Sequence, residues 1–516
     1  MGSLLERTAE WLPALFCLLL PLVWVPTAVD LFILPRTALV VGFGVLLPAA
    51  ALAVGGWPGS GWRRLGLPVA AVAAAALLAA VFSINPWLSL AGAYTRYESV
   101  LVRLAYLGVL IGTAGLCRRP AARAWVLKLF LLGCAVAGLE AIWQAARHEL
   151  ARPDGNLGQP GLLGALLAMA VPVALQVGLR EWRWLSTLLP VGLGLYLSAS
   201  RAGWLAALGG CVVFGLMVAP RRWRQPLLAL AGIAVVAAVL VLLLSPLRGL
   251  NQDTGGARLG VWSDSLRMIA ARPLTGWGED ATGLVFGRFQ THDWEPGDTF
   301  DRIHDQPLDL LVAQGVLGGL AFAWLLGALG LRVLRGWSGG ASAVAGPAAA
   351  CVAYLAWSLL NFDWAPATGA FYALAGVAWA ATTRDPPPQR GGLGWGSWLS
   401  AGAGLAAALA LAVPPVLADT AYRGGDPARA VALDPLQARY HQALGELLGV
   451  SSPRALAELR RARELGDYDY SFLIELGDAE RKDGHLAEAR QAYRAALDVY
   501  PFDPTAAQRL RDLGLG

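Results

Sequence analysis

"LYLSASRAGW" occupies positions 195–204, and apolar runs flank its centre from Leu185 to Leu197 and from Leu205 to Ala219. An arginine, Arg201, therefore stands between two segments suited to hydrocarbon. A guanidinium at such a boundary is costly unless it snorkels to the interface, caps a helix or meets a ligand. What Arg201 is for depends on whether the rest of the chain is built for a membrane.

Composition answers that first. Of 516 residues, 56% are hydrophobic and 15% are charged, and the mean hydropathy is +0.52. Soluble domains carry about 25% charged residues. A hydrocarbon core needs about 20 consecutive apolar residues per helix, and the chain supplies many such runs. Trp11 to Ala28 is followed by further spans rather than a small-residue cleavage site, so it reads as a first span and not a signal peptide. The five cysteines, Cys17, Cys117, Cys134, Cys211 and Cys351, show neither C-x-x-C nor metal-ligand spacing and read as small apolar packers. The net charge of +5 is carried by arginines, Lys128 and Lys482 being the only lysines.

The hydropathy pattern gives an all-α, polytopic bundle of thirteen spans, or twelve if a weak pair merges. They lie near 10–28, 37–55, 67–84, 100–116, 125–143, 160–179, 184–199, 202–219, 226–244, 307–331, 345–361, 366–382 and 395–415. Arg63 and Arg64, Arg118 to Arg123, Arg180 and Arg183, Arg221 to Arg224, Arg332 and Arg335, and Arg384 to Arg390 fall in alternate loops. The positive-inside rule then puts the N-terminus in the cytoplasm and the C-terminus outside. The outer face carries a loop at 85–99, a short one at 148–159, a large one at 246–306, and the tail. The expected domains are a membrane domain over 1–415 and an external domain over 416–516.

The tail is polar, helical and alanine-rich. Leu473, Leu476, Gly477, Ala489, Tyr493, Ala496 and Pro501 match the spacing of a tetratricopeptide repeat, with Glu480 where a tyrosine is usual. A step of 34 residues backward pairs Ala455 with Ala489, Leu459 with Tyr493 and Ala462 with Ala496. "DPARAVALDP" at 426–435 reads as a further partial unit. Such an α-solenoid offers a concave face to a protein partner, or it is a solvated cap with no ligand.

Three other residues join Arg201 as candidates. Arg96 lies in "GAYTRYES", Arg258 in "GARLGVWSDSLRMI" and His304 in "RIHDQPLDLLVAQGVLGG". Arginines gathered beside lipid make an anion site, because a guanidinium forks onto phosphate oxygens and stays charged. Histidine takes and returns a proton near neutral pH. Asp305 adjoins His304, and Asp309, five residues on, is placed to turn back and orient the imidazole. The bland reading of Arg201 is a cap or snorkel paired with Glu98 or Asp363. The bland reading of a lone loop histidine, a polar surface residue, fits His148, His292, His441 and His485. The membrane part has no D-x-D in its loops, no H-E-x-x-H and no phosphate-cradling G-x-x-x-x-G-K-[ST]. "GWSGG" at 336–340 falls between spans and reads as chance rather than a nucleophile elbow. Asp264, Asp280, Asp298 and Asp301 are dispersed, and nothing local argues for a metal site.

From Asn85 to Trp379 the chain resembles the O-antigen ligase superfamily, which includes O-antigen polymerases and pilin-type O-oligosaccharyltransferases. The resemblance rests on "AGAYTRYES", "GNLGQPGLLGALLAMAVPVAL", "LSASRAGWLA", "RLGVWSDSLRMIAARPLTGWGED" and "HDQPLDLLVAQGVLGG" in this order. It implies a GT-C-like glycosyltransferase of the bacterial inner membrane. The implied donor is an undecaprenyl diphosphate-linked glycan, and neither metal nor nucleotide cofactor is needed. The family's essential residues fall on Arg201 in the S-x-S-R stretch, Arg258 early in the large loop and His304 at its end. Arg96 would assist at the diphosphate, with Ser200, Tyr97, Asp305 and Asp309 in support. Asp305 replaces a usual asparagine, and Gln159-Pro160-Gly161 replaces N-P-N, which puts the acceptor and local orientation in question.

The implied reaction is inverting transfer to an acceptor hydroxyl. The arginines would meet the leaving diphosphate and His304 would act as base. The acceptor is a glycolipid (ligase), a glycan (polymerase) or a protein (oligosaccharyltransferase). Other partners implied are membrane lipid and a protein at the repeats; nothing points to nucleic acid. A rival class is a transporter or flippase for a lipid-linked anion, with Arg103 and Glu140 lining a passage. A scaffold acting through its repeats would leave His304 and Arg258 idle.

Overall fold

The computed structural model describes residues 2–56, 62–220, 255–338, 342–383, 395–449 and 452–514, with isolated positions between 222 and 232. Among the described residues the regular structure is helical throughout, without a strand. The bundle comprises α1 (Gly2–Leu22), α2 (Ile33–Ala53), α3 (Trp62–Val81), the short α4 (Pro86–Ala91), α5 (Val100–Leu116), α6 (Pro120–Ala146), α7 (Pro160–Gly178), α8 (Leu188–Leu197) and α9 (Arg201–Val218). After the large loop, with α10 (Gly255–Ala271) and α11 (Thr282–Val285), follow α12 (Gln306–Ser338), α13 (Ala345–Ser358), α14 (Ala365–Ala381) and α15 (Trp395–Arg423). The expected span at 226–244 lies outside the described residues but for four positions up to 232; a helix stands at each of the other expected positions.

Among the described residues seven helices, α2, α3, α6, α7, α9, α12 and α15, are long and apolar enough to cross a membrane. The chain is a multi-pass membrane protein. At the centre of the bundle is α14, buried at every position from Ala365 to Ala380. It is apolar all round, as a helix enclosed by others must be. Small residues let neighbours approach closely: Gly44 of α2 faces Ala105 and Gly108 of α5, leaving no room for a Cβ at either glycine.

Contacts sort the connecting segments into two ends. At one end, Arg36 donates to carbonyls of Leu20, Pro21, Phe32 and Asn156 at 2.7–3.1 Å, and Asp30 N donates to Asp419 at 2.8 Å. At the other, Arg332 donates to Thr382 at 2.9–3.0 Å and Trp337 Nε1 to the Met217 carbonyl at 2.8 Å. Among the described residues, Arg63, Arg64 and Arg335 gather with Arg332 at the second end and Arg224 lies over Trp337 there; the candidate residues belong to the first.

α12 is not one straight rod. Gly315 has φ +65° inside it, and residues 273–278 of the large loop lie in the break. Trp277 N and Gly278 N donate to the Val312 and Ala313 carbonyls at 2.8 and 2.9 Å, and Val316 N donates to the Pro273 carbonyl at 2.7 Å. A backbone interruption at membrane depth is tolerable where protein takes up the freed groups, and the inserted segment does that.

The tail folds as α16 (Pro427–Leu433), α17 (Ala438–Leu448), α18 (Pro453–Glu464), α19 (Tyr470–Lys482), α20 (Leu486–Val499) and α21 (Pro504–Asp512), successive helices packing together. Leu456, Leu459, Phe472, Leu473, Leu476, Ala492 and Ala496 form a core separate from that of the bundle. Glu480, 2% exposed, accepts two 2.7 Å hydrogen bonds from Arg460 across that core. His441 departs from its expected place on the surface. It is buried, with Nδ1 2.7 Å from Glu458 and Nε2 3.0 Å from the Pro435 carbonyl, because the α17–α18 hairpin closes over it.

Candidate functional site

The site assembles around one loop, residues 359–364, between α13 and α14. Ser358 ends α13, and Trp364 precedes α14, which begins Ala365-Pro366 and so stops the loop sharply. Three candidates from distant segments meet it, and a fourth starts a helix at its level. Arg258 Nη1 donates to the Leu360 carbonyl at 3.2 Å. The His304 ring stands edge-on to Phe362, centroids 5.1 Å apart. Arg96 lies over Phe362 and Trp364, 5.2 and 5.0 Å from the ring centroids. Arg201 opens α9, which packs antiparallel to α13, Gly210 against Ala353 and Phe214 against Ala345 and Ala349. That register brings the first turn of α9 to the level of the 359–364 loop. Arg201, Arg258 and His304 are all partly exposed.

Local structure fixes each residue. Ser200 caps α9, its Oγ accepting from Gly203 N at 3.2 Å, which sets the start of the helix at Arg201. Asp305 caps α12, accepting from Leu308 N at 2.9 Å; burial raises its pKa while that hydrogen bond opposes the rise. Asp309 accepts from Ile303 N at 3.2 Å and Arg302 Nη1 at 3.1 Å. It thus holds the 302–304 turn through its backbone. Tyr97 is buried beside Tyr94, with ring centroids 5.9 Å apart.

Backbone conformation marks the same segments. Thr95, Tyr97, Ala199, Asp280 and His304 all have positive φ, between 49° and 72°. A non-glycine residue there is strained, and such residues collect where surrounding structure dictates a geometry. Thr95 and Tyr97 flank Arg96, Ala199 precedes the Ser200–Arg201 helix start, and His304 is itself one of the set.

Behind this layer lies a buried charge network that sequence reasoning missed. Arg103, in the first turn of α5, reaches both oxygens of Glu279 at 3.4 Å and pairs with Asp363. Asp363 also accepts from Tyr354 OH and from Gln306, and Glu279 accepts from Gln314 beside the α12 break. Arg302 pairs with Asp280 and Asp309, and Asp280 accepts from Ala93 N at 2.8 Å. Glu98 accepts from Tyr106 OH at 2.6 Å; burial pushes its carboxyl up to about 7, against the pull of Arg103. The acids suggested as partners for Arg201 are thus engaged by Arg103, Gln306 and two tyrosines. Arg103, Glu98, Asp280, Asp309 and Asp363 are visible in the sequence as single charges near apolar runs, but their pairing with one another is not. Among the described residues no group of three or more His, Cys, Asp or Glu is placed to hold a metal ion.

Chemically, half-buried guanidinium groups beside an imidazole can hold a polyanion and move a proton next to it. A family model described as O-antigen ligase matches residues 185–323. The matched stretch begins just ahead of α8, takes in Arg201, Arg258 and His304, and ends past the break in α12. No curated protein matches the chain. Over that stretch the chain is similar to the O-antigen ligases, and the similarity supports a glycan-transferring function at the level of the family.

Proposed function

We propose that the protein transfers a glycan from an undecaprenyl diphosphate-linked donor to an acceptor hydroxyl at the periplasmic face of the bacterial inner membrane, with inversion at the anomeric carbon. The observation that carries this reading is the convergence of Arg258, Arg96 and His304 on the 359–364 loop, at the level where Arg201 opens α9. Arg201 and Arg258, helped by Arg96, receive the lipid diphosphate and meet the negative charge that develops as it leaves. His304 takes the proton from the acceptor hydroxyl as its oxygen attacks the anomeric carbon. Ser200, Asp305 and Asp309 fix the segments that carry these residues, and Tyr97, next to Arg96 in the chain, packs against Tyr94. Ligase is the family-level label; a polysaccharide acceptor or a protein hydroxyl fits the same chemistry.

A passage for a lipid-linked anion fits less well. Arg103 is closed into ion pairs with Glu279 and Asp363, whereas a passage needs charges that exchange partners as the cargo moves. The 1–415 and 416–516 division is part of the proposal, with the tail a periplasmic repeat domain.

The test is purified protein in detergent with an undecaprenyl diphosphate-linked oligosaccharide, in EDTA, following free undecaprenyl diphosphate with and without candidate acceptors. Acceptor-dependent release is expected, lost in His304→Ala and in Arg201→Lys, because lysine cannot fork onto two phosphate oxygens. Full activity in His304→Ala would sink the general-base role. Tight donor binding with no release for any acceptor would favour transport.

A further inference from the structure

The tail is docked against the candidate site. Asn85 Nδ2 donates to the Glu464 carbonyl at 2.9 Å, Gly297 N donates to Tyr500 OH at 2.9 Å, and Arg288 pairs with Asp498 at 2.8 Å. Between tail and bundle this docking leaves a cleft of about 410 Å³, within the range of about 300–1,000 Å³ usual for small-ligand sites. Its walls include Tyr94 and Asp298 from the bundle side and Asp467, Tyr468, Asp469 and Tyr470 from the tail.

We propose that this cleft is a carbohydrate subsite that holds neutral sugar residues next to the transferring centre. The inference deepens the glycan-transfer reading above and rests on it.

Position is the first support. Asp301 lines the cleft, accepts from Tyr468 OH at 3.2 Å, and pairs on its other side with Arg96 at 2.6 and 3.0 Å. Arg96 lies on the rings that His304 touches. Asp301 and His304 are three residues apart, so their Cα atoms are at most about 11 Å apart. The cleft wall and the proposed base are therefore close neighbours along the chain.

Chemistry is the second. Carboxylates accept from hydroxyls with both oxygens, and tyrosine offers an apolar ring with a polar tip. That combination suits a pyranose, which has apolar C–H faces and a rim of hydroxyls. Charge is the third. Asp298, Asp467 and Asp469 face one lining arginine, Arg439, while Asp301 is already matched by Arg96. Such a wall repels phosphate and uronic acids, so the lipid diphosphate stays with the arginines and the uncharged sugars lie along the tail. On this reading the tail is part of the substrate site and not a remote docking module.

Saturation-transfer NMR on the full chain in nanodiscs tests this. The probes are tetrasaccharides of glucose, mannose, galactose or N-acetylglucosamine, the same tetramers carrying one uronic acid, glycans released by mild acid from the host envelope, and a serine- and threonine-rich peptide. The expected result is saturation transfer to at least one neutral glycan and none to its uronic counterpart. Asp298→Ala and Asp469→Ser should each weaken binding about fivefold, the ordinary worth of one hydrogen bond, with an unchanged melting temperature. Serine keeps the cap that Asp469 gives α19. His304→Ala should bind sugar normally. Saturation transfer to no glycan, equal transfer to charged and neutral forms, binding unchanged in both cleft variants, or transfer to the peptide alone would each overturn the proposal. In the release assay, a KM raised for acceptor alone would make the sugar the acceptor's, and one raised for donor alone the donor's. Sugar binding without any release would leave the subsite standing while the transfer reading falls.

Discussion

Two sets of arginines occupy the same end of the bundle and differ in how they are held. Arg103 and Arg302 are 6% and 3% exposed, and each faces two carboxylates. Arg96, Arg201 and Arg258 are partly exposed; Arg258 and Arg96 reach an aromatic loop and Arg201 starts a helix at its level, and Arg96 has a single carboxylate partner, Asp301, at 2.6 Å. Burying a guanidinium demands full neutralisation, since an unpaired ion in a low dielectric is far more costly than a paired one. The inner set therefore reads as structure, tying α5, α12, the large loop and the 359–364 loop together. The outer set keeps access to an incoming anion. One residue type, at one depth, divides into scaffold and site by burial.

That division is broken most directly by a pair of variants. Arg103→Met should leave Glu279 and Asp363 buried without their cation, a loss of about 3–5 kcal/mol, read as a collapsed melting temperature in detergent. His304→Ala should melt like the wild type and lose about 10²- to 10⁴-fold in transfer rate, the span of general-base effects. An Arg103→Met protein that melts normally yet transfers nothing would move the inner set into the chemistry.

Much of the bundle was legible because a run of about 20 apolar residues has few other uses. Arg201, Arg258 and His304 were legible as types, being charged or titratable beside such runs. Their meeting place was not. The 359–364 loop, "LLNFDW", reads as an ordinary turn, and nothing local says that residues 96, 258 and 304 reach it. The Arg103 network joins positions 176 and 260 residues apart, beyond any periodic signal. His441 looks like a surface residue in the sequence because its partners, Glu458 and Pro435, come from the next helix, α18, and from the turn before α17. The "AQGVLGG" run read as continuous helix, since a glycine within an apolar pattern does not announce a break.

Gly315 sharpens the comparison, because its break brings Gln314 to Glu279 and so links the inner network to the helix that follows His304. Its φ of +65° and the Pro273–Leu274 backbone against it leave no room for a Cβ. Gly315→Ala should cost about 2–3 kcal/mol from strain and overpacking and lower transfer with it, measured by melting and release. A neutral Gly315→Ala would mean that the 273–278 segment does not lie in the helix.

On the tail side, burial and the neighbouring Asp469 push Asp467 up to about 6. Its folded pKa lies above the unfolded value, so its contribution to stability is fully present below about pH 3.8 and is lost as pH rises through 6. Asp467→Asn keeps an oxygen for Asp469 N and should raise neutral-pH stability by about 2 kcal/mol, with no gain at pH 4. Equal melting temperatures for variant and wild type at both pH values would show that the carboxylate is better solvated than its position implies.

The smallest effect tests whether strain at the outer set serves the reaction. Ala199 holds φ +49° directly before the Ser200 cap that starts α9 at Arg201. Glycine accepts that conformation without the Cβ clash, worth about 1 kcal/mol, although its freer unfolded chain offsets part of the gain. Ala199→Gly should therefore change melting by a degree or two in either direction. Transfer is the informative reading. If the turn before α9 aims Arg201 at the diphosphate, a looser turn should lower the rate several-fold while donor binding holds, because misplacement at a charged transition state is felt more than in the ground state. An unchanged rate would confine the role of Ala199 to the fold, and Arg201 would owe its aim to the Ser200 cap alone.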